Sequence, residues 1–174
     1  MSVRADQCGP AYSKSVVNRH WGKADPQFGA HAFHPLMFHS LDVAAVAHES
    51  LQLRPELLDW FANALNLSRD IAQRLLSWIA CVHDLGKFAE NFQFYRPDLA
   101  EAAGLTQKYS KRRHDVVGFA IWEKALEKED AVWHARLAAV AKLKKPGWWL
   151  NLLHASTAHH GLPSNPDAQR NLAG

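Results

Sequence analysis

Apolar residues recur at helical spacing along most of this chain, and the gaps between those runs carry proline, glycine or a capping side chain. The first run starts at Pro35, a residue suited to a first helical position, and continues through Leu36, His39, Val43 and Val46, which puts His39 on or beside the inward face. A second short helix follows Pro55 and carries Leu57, Leu58, Phe61 and Leu65. Ser68 reads as an N-cap, with Asp70 in the first turn, for a third helix holding Ile71, Leu75, Trp78, Ile79 and Val82. That helix reads as apolar nearly all round, and so as central. Gly86 marks a break after it, and Phe88, Phe92 and Phe94 point to a short helix or turn against the core. Pro97 to Lys111 reads as a connection. From His114, the residues Val117, Ile121 and Leu126 predict another helix; Val132 to Leu143 predicts the next, ended by Pro146 and Gly147. Trp148 to His160 predicts a last helix stopped by Gly161 and Pro163, with its histidine pair at the C-terminus. Residues 1–34, punctuated by Trp21-Gly22-Lys23 and Asp25-Pro26, read as mostly irregular. No strand, repeat or low-complexity tract stands out. The predicted class is all-α, a helical bundle forming one domain over residues 1–174.

Composition narrows the setting more than the chemistry. With 174 residues, 48% of them hydrophobic, the chain is long enough for one well-formed core. Its two cysteines, Cys8 and Cys81, make no disulfide framework and favour a reducing compartment. The start, MSVRADQCGP, lacks the apolar core of a signal peptide, and no apolar run approaches the roughly 18 residues that span a bilayer. A cytoplasmic protein without a membrane partner is expected. The formal charge of +3 mildly favours an anionic partner and excludes little.

The histidines change the picture. Four histidine-bearing segments follow one another: His39 in FHSLDVAAVAH, His83 and Asp84 in CVHDLGKF, His114 in RRHDVVGF, and His159 with His160 in TAHHG. A His–Asp dipeptide alone carries little, because 11 His and 10 Asp predict about 0.6 by chance and the chain has two. What raises the signal is HDLGK closing an apolar helix, with one histidine upstream, one downstream and an adjacent pair further on. That order is the signature of an HD-type metal site. Imidazole nitrogen together with a hard carboxylate oxygen suits first-row divalent metals, and Asp84 is the natural bridge between two of them. Hydrolysis of a phosphate ester at such a site needs an activated water and a second positive centre for the developing charge, so two ligand subsets are required. The weight of imidazole favours Mn, Fe, Co, Ni or Zn over Mg. Each residue has a plainer reading too. A single histidine on an apolar helix is ordinarily a packed core residue, His114 fits a first helical turn, and His159 with His160 suit a helix C-terminus as cations. Asp84 at a helix end opposes the macrodipole, so helix stability explains it poorly. His20, His31, His34, His48, His134 and His154 look incidental, with His34 and His48 the nearest to exceptions.

These residues resemble those of a known family, the N-terminal HD nuclease domain of the helicase–nuclease that executes interference in type I CRISPR systems. The likeness runs over nearly the whole chain: HWGK at His20 to Lys23, HSLDVAAVAH, HDLGKFAENFQ, the downstream His114, and AHHG. The wording around His39 and His83 most resembles subtype E members. The resemblance implies a two-metal, all-α HD fold that cuts single-stranded DNA and works with a helicase domain or subunit and with the RNA-guided surveillance complex Cascade. It also implies that His39, His83 and Asp84 hold one metal, and that Asp84, His114, His159 and His160 hold the other. Lys87 is implied beside the scissile phosphate or just behind the ligands. In the family, a further aspartate well downstream of the histidine pair completes the first site. This sequence reaches Gly174 with Asp167 as its only later acid, in a Pro/Asn-rich stretch unsuited to that role. The expectation is therefore a shortened form of the family domain, without the helicase, whose first metal site is weak or empty.

Two basic clusters remain. Lys108, Lys111, Arg112 and Arg113, with Tyr109 among them, precede His114 and are placed to steer a phosphate backbone, or else form a solvated loop. Lys142, Lys144 and Lys145 before Trp148 and Trp149 form a second basic-aromatic cluster of a kind suited to base stacking, but a helix end and core packing explain them better. Three functions stay open at this point: a single-stranded DNA nuclease, an HD phosphohydrolase acting on a nucleotide, and a non-catalytic module that docks on a partner.

Overall fold

The computed structural model describes residues 16–24, 27, 29, 32–106, 113–124 and 148–158. Its helices are α1 (Leu36–Leu53), α2 (Pro55–Leu65), α3 (Arg69–Cys81), α4 (Glu90–Gln93), α5 (Pro97–Ala102), α6 (residues 114–124) and α7 (Trp148–Thr157), with 3-10 turns at Val16–Arg19 and Leu85–Phe88. The all-α class holds, and none of the described helices is long and apolar enough to cross a membrane.

Local chemistry sets most helix boundaries. Pro35 caps α1 and Pro55 opens α2, where a missing N–H costs nothing because a first-turn amide has no intrahelical partner. The amide of Leu36 is instead taken by the His20 carbonyl at 2.8 Å, which ties the incoming chain to the start of α1. Asn66 ends α2 in the left-handed conformation at φ 54°, and the Ser68 hydroxyl accepts from the Ile71 amide to start α3. Helix α3 packs on α1, α2 and α7, and the Ser156 hydroxyl of α7 donates to the Ile79 carbonyl at 2.8 Å. It is central but not apolar all round, since Arg74 and Asp70 pair on its outer face and Trp78 remains 40% exposed.

Three further expectations are corrected. Residues 21–24 are not irregular: β1 (Trp21–Ala24) pairs antiparallel with β2 (Phe33–Pro35), Lys23 opposite His34, with an irregularity between Trp21 and Lys23. Gly22, which looked like a turn residue, lies at that irregularity, where an added Cβ would come within 2.9 Å of Leu36 Cα and 3.1 Å of His39 Cβ. Glycine thus lets the strand close on α1 beside His39. Part of the expected connection over 97–111 is helix α5, begun by Pro97. Val46 faces solvent while Leu51 is buried, because five residues at about 100° each put Val46 roughly 140° round α1 from Leu51. The predicted helix at Val132 to Leu143 lies outside the described residues.

One core cluster joins Trp21, Phe92 and Leu99, with Ala24 and Phe33 against it; another joins Leu58, Ala62 and Ala72. The first reaches His114 through the Phe92 ring.

Candidate metal centre

Four segments bring the motif residues together. His39 lies one turn into α1. His83 and Asp84 occupy the turn that follows α3, and Lys87 lies in the 3-10 turn Leu85–Phe88. A 3-10 turn has about three residues per turn, so side chains at i and i+3 eclipse, and the Asp84–Lys87 pair is built into the backbone. His114 opens α6. There Gly86 is indispensable, because a Cβ on it would fall 1.7 Å from the His114 carbonyl oxygen and 2.6 Å from the Gly118 amide nitrogen. Gly86 therefore acts as a contact surface as well as a break, and it sets the depth at which His114 meets Asp84.

All of these side chains converge on one carboxylate. Asp84 is buried, and its Oδ2 lies 3.1 Å from His39 Nε2, 3.1 Å from His83 Nε2 and 2.7 Å from Lys87 Nζ. Its Oδ1 faces His114 Nε2 at 3.4 Å. The His39, His83 and Asp84 donor atoms lie within 4.8 Å of one another, close enough to share one ion. The His83 Nδ1 donates to the Ala80 carbonyl at 2.8 Å, which orients the ring and aims Nε2 at Asp84. Three imidazole nitrogens turned toward one buried carboxylate supply the donor set of a divalent-metal site.

The electrostatics agree. Burial pushes the Asp84 carboxyl up, but hydrogen bonds from His114, His83 and Lys87 outweigh it and hold the group far below the usual carboxylate range. Burial pushes His39 below its ordinary value, with Lys87 and His83 adding to the effect and Asp84 opposing it. Neutral imidazole is the form that ligates metal. Since the folded-state value is depressed, the unfolded chain takes up this proton first, and the stability tied to neutral His39 is lost as pH falls below about 6.5. Melting in EDTA is thus expected to show a steeper loss of stability from pH 7 to pH 5 for the wild type than for His39→Asn. Parallel curves would contradict it.

The surroundings fix the rings in place. Phe92 stacks on Trp21 at 4.6 Å between centroids, meets His114 edge-on at 5.0 Å, and has Lys87 Nζ 5.3 Å from its centre. Asp115, also buried, holds Arg113 through paired bonds of 3.1 and 2.7 Å at the start of α6, where an acid also suits the helix dipole. Arg113 remains half exposed. Of the other histidines, His34 pairs with Asp42 at 2.8 Å on the rim beside His39. His48 ties α1 to α3 through Gln73 and Ser77, and His154 stacks on Phe119. Lys108, Lys111, Arg112, His159, His160 and Asp167 lie outside the described residues. Sequence reasoning missed Gln93 and the contact made by Gly86. The HDLGKFAENFQ block contains both, but only tertiary structure gives them partners.

A helical fold that gathers His–Asp motifs around one buried acid defines an HD-type metal-dependent hydrolase. Residues 21–173 match the family model described as Cas3, HD domain, so the chain belongs to the Cas3 HD-domain family, metal-dependent nucleases of CRISPR defence. No curated protein and no solved structure matches it.

Proposed function

We propose that this chain hydrolyses phosphodiester bonds of single-stranded DNA at a two-metal centre. The observation that carries the reading is the division of the Asp84 carboxylate, with Oδ2 turned to His39 and His83 and Oδ1 turned to His114. A carboxylate with different imidazoles on each oxygen is suited to bridging two cations. On this reading His39, His83 and Asp84 hold one ion, and Asp84, His114, His159 and His160 hold the other. His159 and His160 follow Ala158 in sequence, and Thr157 lies beside Gly118 of α6. Manganese, iron, cobalt or nickel suits this donor set better than magnesium. Once bound, the ions supply Lewis-acid stabilisation and an activated water.

The chain's own groups do the rest. Asp84 fixes the spacing of the two ligand subsets, and the Ala80 carbonyl orients His83. Lys87 keeps a positive charge at the edge of the centre, where the charge of a phosphodiester would develop. Lys108, Lys111, Arg112 and Arg113 would guide the strand toward it. A helicase motor would deliver that strand, with Cascade selecting the target.

Lys87→Ala is expected to lower cleavage about 10²-fold while most of the metal is retained. Metal content by mass spectrometry beside the cleavage rate checks this, and equal loss of both would assign Lys87 to the fold. To test the substrate class, single-stranded DNA, duplex DNA and free nucleotides are offered with Mn²⁺. Preferential cutting of the single strand is predicted; nucleotide turnover with intact DNA would overturn the reading in favour of a nucleotide phosphohydrolase.

A further inference from the structure

Gln93, fully buried at the end of α4, has no place in the metal chemistry, yet its carboxamide and carbonyl make a network of four hydrogen bonds. Its Oε1 accepts from the Trp21 amide at 2.9 Å, and its Nε2 donates to the Trp21 carbonyl at 3.0 Å and to the Lys87 carbonyl at 2.7 Å. Its backbone carbonyl accepts from the Trp21 indole at 2.9 Å. A carboxamide that takes both the N–H and the C=O of one strand residue behaves as a one-residue neighbouring strand. Here it fastens β1 to the 3-10 turn that carries Lys87. The Lys87 ammonium then lies 3.4 Å from the carbonyl of Gly22, the next residue along β1, and 2.7 Å from Asp84 Oδ2. Both ends of Lys87, backbone carbonyl and ammonium, are therefore referred to β1, one directly and one through Gln93.

We propose that Gln93 is a positioning residue for Lys87: it registers the strand against the turn and so holds the ammonium on the bridging carboxylate. An apolar side chain of similar length would fill the same space, and only a carboxamide presents one acceptor and two donors to these backbone groups. The functional consequence rests on the nuclease reading; the positional claim does not.

The test labels lysines of the purified chain with an amine-acylating reagent and follows each site by mass spectrometry. Gln93→Met is expected to raise Lys87 labelling about fivefold through local opening, while Lys23 and Lys124, both exposed, are unchanged. Unchanged Lys87 labelling in a folded Gln93→Met variant would overturn the proposal. Should that variant fail to melt cooperatively, Trp21→Phe takes its place. It deletes the indole donor and keeps the ring on Phe92, and it should raise Lys87 labelling about twofold; no rise would count equally against the proposal. The second arm is a double-mutant cycle on cleavage. Gln93→Met should cost nothing further in a Lys87→Ala background, whereas additive losses would indicate a structural residue only. If even the wild type leaves DNA intact, the nuclease reading fails, and the labelling alone decides the role of Gln93.

Discussion

Replacing Asp84 with alanine is expected to abolish divalent-metal binding at the centre and to destabilise the metal-free chain by about 3–5 kcal/mol. The Asp84 side chain is only 2% exposed and stands between His39, His83, His114 and the Lys87 ammonium. Its removal leaves a largely buried cation without its partner and three imidazoles with no anion to share. Loss of an uncompensated buried ion partner is far more costly than loss of a surface pair. On the proposed two-metal reading cleavage should fall by at least about 10³-fold, since bound ions would supply several kcal/mol of transition-state stabilisation. Asp84→Asn separates charge from shape: the amide fills the space but cannot bridge two cations. Metal content by mass spectrometry, with denaturant unfolding in EDTA, checks both parts. Two metals retained by either variant would remove Asp84 from its proposed role.

Gly86→Ala should be nearly as damaging, although the nearest atoms the new methyl would meet are all backbone. The new methyl carbon would meet the His114 carbonyl at 1.7 Å and the Gly118 amide at 2.6 Å, and both are backbone atoms with no rotamer to relieve the overlap. The turn carrying Asp84 and Lys87 must then separate from α6, which withdraws His114 from Asp84 Oδ1. Overpacking of a close backbone contact costs about 1–3 kcal/mol or more, and displacement of α6 puts this case at the upper end or beyond. The expected results are a lower unfolding midpoint and weaker metal binding together. A Gly86→Ala chain with wild-type stability would show that the crossing of turn and helix is looser than this account requires.

The parts of the fold legible in the sequence are those with local causes. Pro35, Pro55 and Ser68 mark helix starts because the missing or capped amide is a property of the residue itself. The hairpin was not legible: Trp21–Ala24 has no alternation to speak of, and its outer edge is satisfied by Gln93, 72 residues away in sequence. Helix α5 had its proline and its acidic first turn, but six residues are too few to show a period. Val46 faces solvent although it is apolar, because a helix drifts out of phase over three turns and a list of apolar positions hides that drift. At the site, the histidines and Asp84 were legible as a motif. The motif gives only the residue types, whereas the division of the carboxylate oxygens, the Lys87 ion pair and the Gly86 contact come from a 3-10 turn crossing α6. No one-dimensional pattern records that crossing.

A metal-dependent nuclease centred on Asp84 is best tested by incubating the purified chain with circular single-stranded DNA and Mn²⁺ or Ni²⁺, beside folded Asp84→Asn and beside wild type in EDTA. Circular substrate removes ends, so any product reports an internal cut. Linear and shorter fragments are expected with metal and wild type alone. Intact circles under all conditions, or fragments formed equally by Asp84→Asn, would contradict a metal-dependent nuclease centred on Asp84.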